Sequence, residues 1–177
     1  PSHVAMIRMD VDSAAFDTWD VDDTKLGLEM RKLKEILTQG QGTDAVYMSH
    51  DDATGQVSVK IGRIDLTMRP LDNTTLNPPN VPELDLPCGV TISGAELAQA
   101  IRASKLVSDL VNMSLTESQF SVNVKGPNSE VNADFSKDEL LAIDCSEPAR
   151  SQYSLTYLIP LAKIFQGIEN VNLRFGE

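Results

Sequence analysis

The chain repeats itself, and that constrains its fold more than any other property of its sequence. After one candidate helix it reads Thr43-Asp44-Ala45-Val46-Tyr47-Met48-Ser49. After a second it reads Ser108-Asp109-Leu110-Val111-Asn112-Met113-Ser114. Each string is followed by another alternating run, Gln56–Ile61 and Gln119–Val124. A third helix leads to Ile168-Glu169-Asn170-Val171-Asn172-Leu173-Arg174-Phe175. A helix-then-strands unit thus recurs at a spacing of roughly 60 residues, the mark of a stacked or pseudo-symmetric architecture. Short β-like strings also match by chance. The shared order, the placement of Asp and the Met-Ser ending argue against that here.

The 177 residues suffice for one ordinary domain or two small ones. Apolar residues make up 41% and charged residues 23%, the balance of a soluble globular protein. No apolar run approaches the ~20 residues that span a bilayer, and no basic segment precedes an apolar stretch as in a signal peptide. A cytoplasmic setting is therefore expected. Cys88 and Cys145 lie far apart and show no metal-ligand spacing. Reduced thiols in a reducing cytosol suit them best, with one disulfide as the alternative. The chain opens at Pro1 on a strand-like run and closes on Phe175-Gly176-Glu177, so it reads as a piece of a longer protein.

The net charge of −11 argues against nucleic acid, but its distribution does not. The three candidate helices carry Arg31, Lys32, Lys34, Arg102, Lys105 and Lys163 against Glu29, Glu35 and Glu96. Six cations against three anions give the helices +3 and leave −14 for the rest. A mildly basic helical layer then lies on an acidic body.

Residues 3–12 alternate Ile7, Met9 and Val11 with Arg8, Asp10 and Asp12, which predicts a half-buried strand. A short element is expected at 15–19. Asp20, Asp22 and Asp23 then crowd a loop. Without the central Gly and distal Glu of a calcium loop they read as a solvated turn rather than a metal site. A helix is expected at 28–39, with Leu26, Met30, Leu33 and Leu37 on one face, Arg31 and Glu35 paired on the other, and Gly40 and Gly42 ending it. Strands follow at 45–50, 56–61 and 64–69. Pro70, Pro78, Pro79, Pro82 and Pro87 make 70–87 an extended connector. Its Leu71, Leu76, Val81, Leu84 and Leu86 either pack on the body or line a groove.

A second unit opens with a strand at 88–92 and a helix at 94–107, with Ser93 and Glu96 spaced as a capping box. Strands are expected at 110–115, 119–125, 130–135 and 140–145, with a turn at Gly126-Pro127-Asn128-Ser129. The last helix, 157–166, has Leu158, Leu161 and Phe165 as its apolar stripe and Pro160 in its first turn. The two histidines, His3 and His50, have no nucleophile or carboxylate at a recognisable spacing, and no phosphate-binding glycine loop is present. No catalytic residue, metal or cofactor is assigned.

An ordered set of residues carries a family resemblance across the whole chain. It comprises Ser2-His3-Val4-Ala5-Met6 with Phe16-Asp17, then Leu33 with Ile36-Leu37, and Met68-Arg69-Pro70-Leu71-Asp72. Leu106-Val107-Ser108-Asp109 and Tyr157-Leu158 with Lys163 complete it. In these the chain resembles the DNA sliding clamps, the proliferating cell nuclear antigen family, in their archaeal form. The resemblance implies an α+β DNA-clamp fold of two similar domains, each built from two βαβββ units, with helices on one face. The domains would be residues 1–69 and 88–177, joined by a connector at 70–87. It further implies a homotrimeric ring around duplex DNA, helices lining the hole. Lys32, Lys34, Arg31, Arg102, Lys105 and Lys163 would face phosphates without reading sequence.

The resemblance also implies partners: DNA polymerase, clamp loader, flap nuclease and ligase. Each would insert a short hydrophobic peptide into a pocket bordered by His3, Val4 and Met6 and by Leu76 and Pro78 of the connector. Ring closure would pair edge strands near 62–70 and 129–137. The chain departs from the family at both ends, where an opening segment and closing strands have no counterpart, and at Glu35, where a basic residue is usual. Two other readings stand beside it. One is a clamp-like β-rich interaction module that never touches DNA. The other is a metal-dependent hydrolase using the Asp20–Asp23 cluster.

Overall fold

The computed structural model describes residues 8–72 and 86–176. The chain divides into two compact units, Pro1–Val81 and Pro82–Glu177. The first holds helix α1 (Met30–Leu37) and the strands β1 (Val46–Asp51), β2 (Gln56–Ile61) and β3 (Ile64–Met68). These strands form an antiparallel meander in sequence order. Gly55 (φ 65°) and Gly62 (φ 57°) make the two tight turns, in backbone conformations that disfavour a side chain. Ile36, Val57, Val59 and Ile61 are buried there, with Leu26, Leu28, Leu33, Leu66 and Met68 packed around them.

Four expectations for this unit need correction. The helix buries Ile36 and half-buries Leu33, whereas Met30 and Leu37 are 67% and 41% exposed. An eight-residue helix lying on β2 covers one i, i+3 pair rather than a four-residue stripe. Lys32 pairs with Glu29 (2.9 Å), and Arg31 does not meet Glu35. The helix closes at Thr38, ahead of both glycines. Residues 8–12 form no strand. Alternation yields a strand only beside a partner's ladder, and none lies there among the described residues. Arg8 folds back onto Asp10 instead, and Asp12 Oδ1 accepts from Ala14 N (2.9 Å) to cap a 3₁₀ turn at Ser13–Ala15. Residues 3–7 and nearly all of the connector, 73–85, lie outside the described residues.

The second unit contains β4 (Cys88–Ser93), α2 (Gly94–Ser104), β5 (Leu110–Leu115), β6 (Gln119–Lys125) and β7 (Glu130–Ser136). It continues with β8 (Ala142–Cys145), β9 (Ala149–Ser154), α3 (Leu155–Phe165) and β10 (Asn170–Phe175). Its sheets run β10-β4-β8 and β7-β6-β5-β9. The repeat is interlocked. The strand entering α2 pairs with the strand leaving α3, Ser93 opposite Asn170. The strand entering α3 pairs with the strand leaving α2, Ser154 opposite Leu110. The first N–H of each helix follows the same exchange, Gly94 N to Glu169 O (3.3 Å) and Leu155 N to Asp109 O (2.8 Å). Each half therefore completes the other's sheet and caps the other's helix. The acidic residues near the start of the second and third repeated strings, Asp109 and Glu169, lend their carbonyls to those caps.

This exchange decides burial. Val111 and Met113 of β5 are buried beneath the helices, while the matching Val46 and Met48 of β1 are 48% and 56% exposed. β5 lies between β6 and β9, and among the described residues β1 has a neighbour on one side only. The core of the second unit joins Val90 and Ile92 of β4, Leu97 and Ile101 of α2, Phe120 and Val122 of β6, and Leu155 of α3. Phe120 stacks on Phe135 at 6.0 Å and tilts against Phe175 at 6.4 Å.

Here too the structure departs from expectation. The chain spells Ser-x-x-Glu three times, at Ser93, Ser114 and Ser136, and the reciprocal capping box forms at Ser136 and Glu139, not at Ser93 and Glu96. Ser93 is still held in the β4 ladder, and its helix is started by the Glu169 carbonyl. Helix α2 stops at Ser104. The strand expected at 140–145 begins at Ala142, and the turn at Gly126 closes onto Ser129 O (2.8 Å). β9 is a strand without a sequence signal of its own: Ala-Arg-Ser-Gln-Tyr-Ser is a weak strand former that pairing with β5 holds in place. Helix α3 starts two residues early, so Pro160 sits in its interior rather than its first turn. Its buried residues are Leu155 and Ala162, with Leu158, Leu161 and Phe165 half-buried beside them.

Candidate nucleic-acid interface

Helices α2 and α3 pack side by side over the sheets of the second unit, the start of α2 against the end of α3. Contact is so close that a Cβ on Gly94 would lie 2.2 Å from the Phe165 carbonyl oxygen and 2.3 Å from that of Ile168. Leu97, Ala98, Ala100 and Ile101 of α2 point into the core, which leaves Ala95, Glu96, Gln99 and Arg102 outside. On α3, buried Leu155 and Ala162 leave Thr156, Tyr157, Lys163 and Ile164 exposed. Arg102 donates from Nη1 to Gln166 Oε1 (2.9 Å), a bond between the two helices that leaves its charge unneutralised. Lys105, at the end of α2, is paired with Asp109 one turn on. Lys163 has no ion pair among the described residues.

In the first unit, Leu33 and Ile36 turn α1 onto its sheet and leave Arg31, Lys34 and Glu35 on the opposite face, with Lys32 at the flank. Arg31 and Lys34 have no ion pair among the described residues. Of the six expected cations, Lys32 and Lys105 are thus held by carboxylates and the other four are unopposed. Exposed pairs of this kind are worth at most about 1 kcal/mol, so a phosphate can displace the carboxylate.

The far face of the four-stranded sheet is different in kind. Gln152, Asn112, Asn123 and Asn132 stand opposite one another across all four strands. Two of the steps are hydrogen bonded, Asn123 Nδ2 to Asn132 Oδ1 (3.0 Å) and Gln152 Nε2 to Asn112 Oδ1 (3.3 Å). A shallow groove of about 360 Å³ runs over this amide row. An apolar cleft of about 180 Å³ lies under the helices, lined by Leu97, Met113, Tyr153 and Leu161 among others. Ser114, Lys125 and Glu130 line the first groove, and among the described residues none of the three is hydrogen bonded through its side chain to another. His50 Nδ1 does lie 3.1 Å from Asp52 Oδ1, a carboxylate neighbour that spacing did not reveal. Among the described residues no three His, Cys, Asp or Glu side chains converge as a metal site. The expected peptide-pocket residues His3, Val4, Met6, Leu76 and Pro78 lie outside the described residues.

Comparison with known proteins decides the family. Residues 1–65 match the model for the proliferating cell nuclear antigen, N-terminal domain. The DNA polymerase sliding clamp of Methanosarcina acetivorans is 30% identical over 177 residues, 99% of this chain and 72% of that one. The chain belongs to the DNA polymerase sliding clamp family. The clamp of Picrophilus torridus is 32% identical over 164 residues, covering 92% of this chain and 66% of its own. Among solved structures, the A. fulgidus clamp bound to the C-terminal region of FEN-1 superposes with a TM-score of 0.85 at 24% identity, over 94% of this chain and 68% of that one. The clamp of Entamoeba histolytica gives 0.76 at 18% identity, over 94% and 69%. The α+β clamp fold is therefore shared, including helices gathered on one face of antiparallel sheets. No helix among the described residues is long and apolar enough to cross a membrane.

Proposed function

We propose that this chain is a sliding-clamp protomer, a non-catalytic processivity factor that closes with two further copies into a ring around duplex DNA. The observation that carries this is the orientation of its cations. In each unit the helix face turned away from the sheet bears unopposed positive charge, while the chain as a whole is at −11. Such a surface favours loose contacts to phosphates, independent of sequence. Arg31, Lys34, Arg102 and Lys163 make those contacts first, and Lys32 and Lys105 join when phosphates displace Glu29 and Asp109. Residues 1–69 and 88–177 act as the two clamp domains on either side of the connector.

Ring closure in this reading uses β3 and β7. Each is the outer strand of its sheet among the described residues, with backbone groups open to a partner strand. The ring then holds DNA polymerase, clamp loader, flap nuclease and ligase through short hydrophobic peptides, at a pocket formed by His3, Val4, Met6, Leu76 and Pro78. It works beside the chromosome in the cytoplasm of an archaeal cell.

Light scattering across a concentration series tests the assembly. A closed ring weighs three times 19.3 kDa, about 58 kDa. Retention on nicked circular DNA, with loss from the linear form, tests encirclement. Equal retention on both forms would refute encirclement, and a stable monomer at every concentration would refute the ring. Failure to bind either form would favour an interaction module that never touches DNA.

A further inference from the structure

Cys88 and Cys145 are 57 residues apart in sequence, yet β4 and β8 set them directly opposite each other. Their Sγ atoms are 3.2 Å apart, and both are free thiols. The next pair along is hydrogen bonded, Ser146 N donating to Pro87 O (3.3 Å), so the cysteines occupy a non-hydrogen-bonded position of the ladder. At such positions Cα atoms approach to about 4.5 Å and side chains stand closest, within the span a disulfide bridges without moving backbone. Both thiols are aimed at one acceptor, the Glu147 carbonyl, at 2.9 Å from Cys88 and 3.2 Å from Cys145. The carbonyl thus holds the two sulfurs side by side.

We propose that Cys88 and Cys145 form a redox-modification site, closing to an intramolecular disulfide by exchange with a small-molecule disulfide of the glutathione type. Access sets the order of events. Cys88 is fully buried, while Cys145, on the outer strand β8, is partly exposed. Burial, and then the Cys145 hydrogen bond, push the Cys88 thiol up to about 11, which disfavours it as the first nucleophile. The Cys145 thiolate attacks one sulfur of the small disulfide and releases one small thiolate. Cys88 then loses its proton to solvent, and its sulfur displaces the second small thiolate from Cys145. Two protein thiols are oxidised to one disulfide, and one small disulfide is reduced to two thiols. The bond ties the border strand β8 to β4 and closes a long loop containing α2, β5, β6 and β7.

The test is intact-mass analysis of the reduced chain after equilibration with oxidised glutathione in the absence of oxygen. The expected product has lost two hydrogens and carries no glutathione, and a non-reducing peptide map joins Cys88 to Cys145. Closing the loop should raise Tm by roughly 10 °C, reversibly with dithiothreitol. A lasting glutathione adduct on Cys145, a crosslink between chains, or two unchanged thiols where the urea-unfolded chain does oxidise would each overturn the proposal. Two variants check the order of attack. Cys88→Ala should trap glutathione on Cys145, and Cys145→Ser should leave Cys88 unmodified. Modification of Cys88 in the second variant would overturn entry through Cys145. The wild-type result stands whether or not Cys88→Ala folds.

Discussion

Replacing Gly94 by alanine sets two ordinary effects against each other at one atom. Alanine is the better helix former, worth about 1 kcal/mol within a helix. The added Cβ would lie 2.2 and 2.3 Å from two backbone carbonyl oxygens at the end of α3, where real Cβ atoms are not found. Neither oxygen can swing aside as a side chain would, so α2 and α3 must separate. That movement carries an overpacking cost of about 1–3 kcal/mol. It also threatens the Gly94 N–H bond to Glu169 O, worth about 1 kcal/mol. At its first position the helix recovers only part of the propensity gain, so the clash wins. A net loss of about 2–3 kcal/mol is expected, a fall in Tm of roughly 10–20 °C for a unit of this size.

Far-UV circular dichroism would follow the whole chain. Fluorescence of Trp19, the single tryptophan, would follow the first unit. The loss should appear in the part of the melt that Trp19 does not report. Gly42→Ala is the control, since a Cβ there meets nothing within 4 Å and the backbone is not left-handed. It should be neutral or stabilising by up to about 1 kcal/mol. A Gly94→Ala melt as high as the wild type, or a drop seen by Trp19 alone, would refute the argument.

Phe120→Ala should cost about 3–5 kcal/mol in urea unfolding of the second unit, because the ring is fully buried between Phe135 and Phe175. A Lys34→Glu, Lys163→Glu double variant should weaken binding to short duplex DNA alike for all sequences and flatten its salt dependence, read by anisotropy. The same change at Lys125, on the opposite sheet face, should do neither. Asp51 accepts from the Thr54 hydroxyl and from the N–H groups of Ala53 and Thr54 in the β1–β2 turn, which holds its carboxyl below the ordinary aspartate range. A depressed acid stabilises the fold above its unfolded value, and that contribution fades as pH falls through the folded one. Carboxyl NMR titration should find its midpoint low in the wild type and moved upward in Thr54→Val.

The sequence by itself carried the elements whose apolar rhythm is local. The strands β1, β2, β3, β5, β6 and β7 and the central spans of all three helices follow from alternation or from the 3.6-residue period, and the helix cations are legible as a segregated charge. The repeat gave the architecture. What it could not give was how the repeats meet. Ser93 has the spacing of a capping box, yet its side chain makes no capping bond, and the first N–H of its helix goes to the carbonyl of Glu169, far along the chain. Ala149–Ser154 becomes a strand only because β5 offers it a ladder. Val46 and Val111 occupy the same place in the repeated string, yet one is exposed and the other buried, since β5 lies beneath the helices with a strand on each side and β1 has a neighbour on one side only among the described residues. The same holds for Cys88 and Cys145, unrelated along the chain and adjacent across a ladder. Periodicity is a property of neighbours in sequence, whereas caps, edges and sulfur pairs depend on backbone groups brought together over long separations, and these the tertiary structure alone decided.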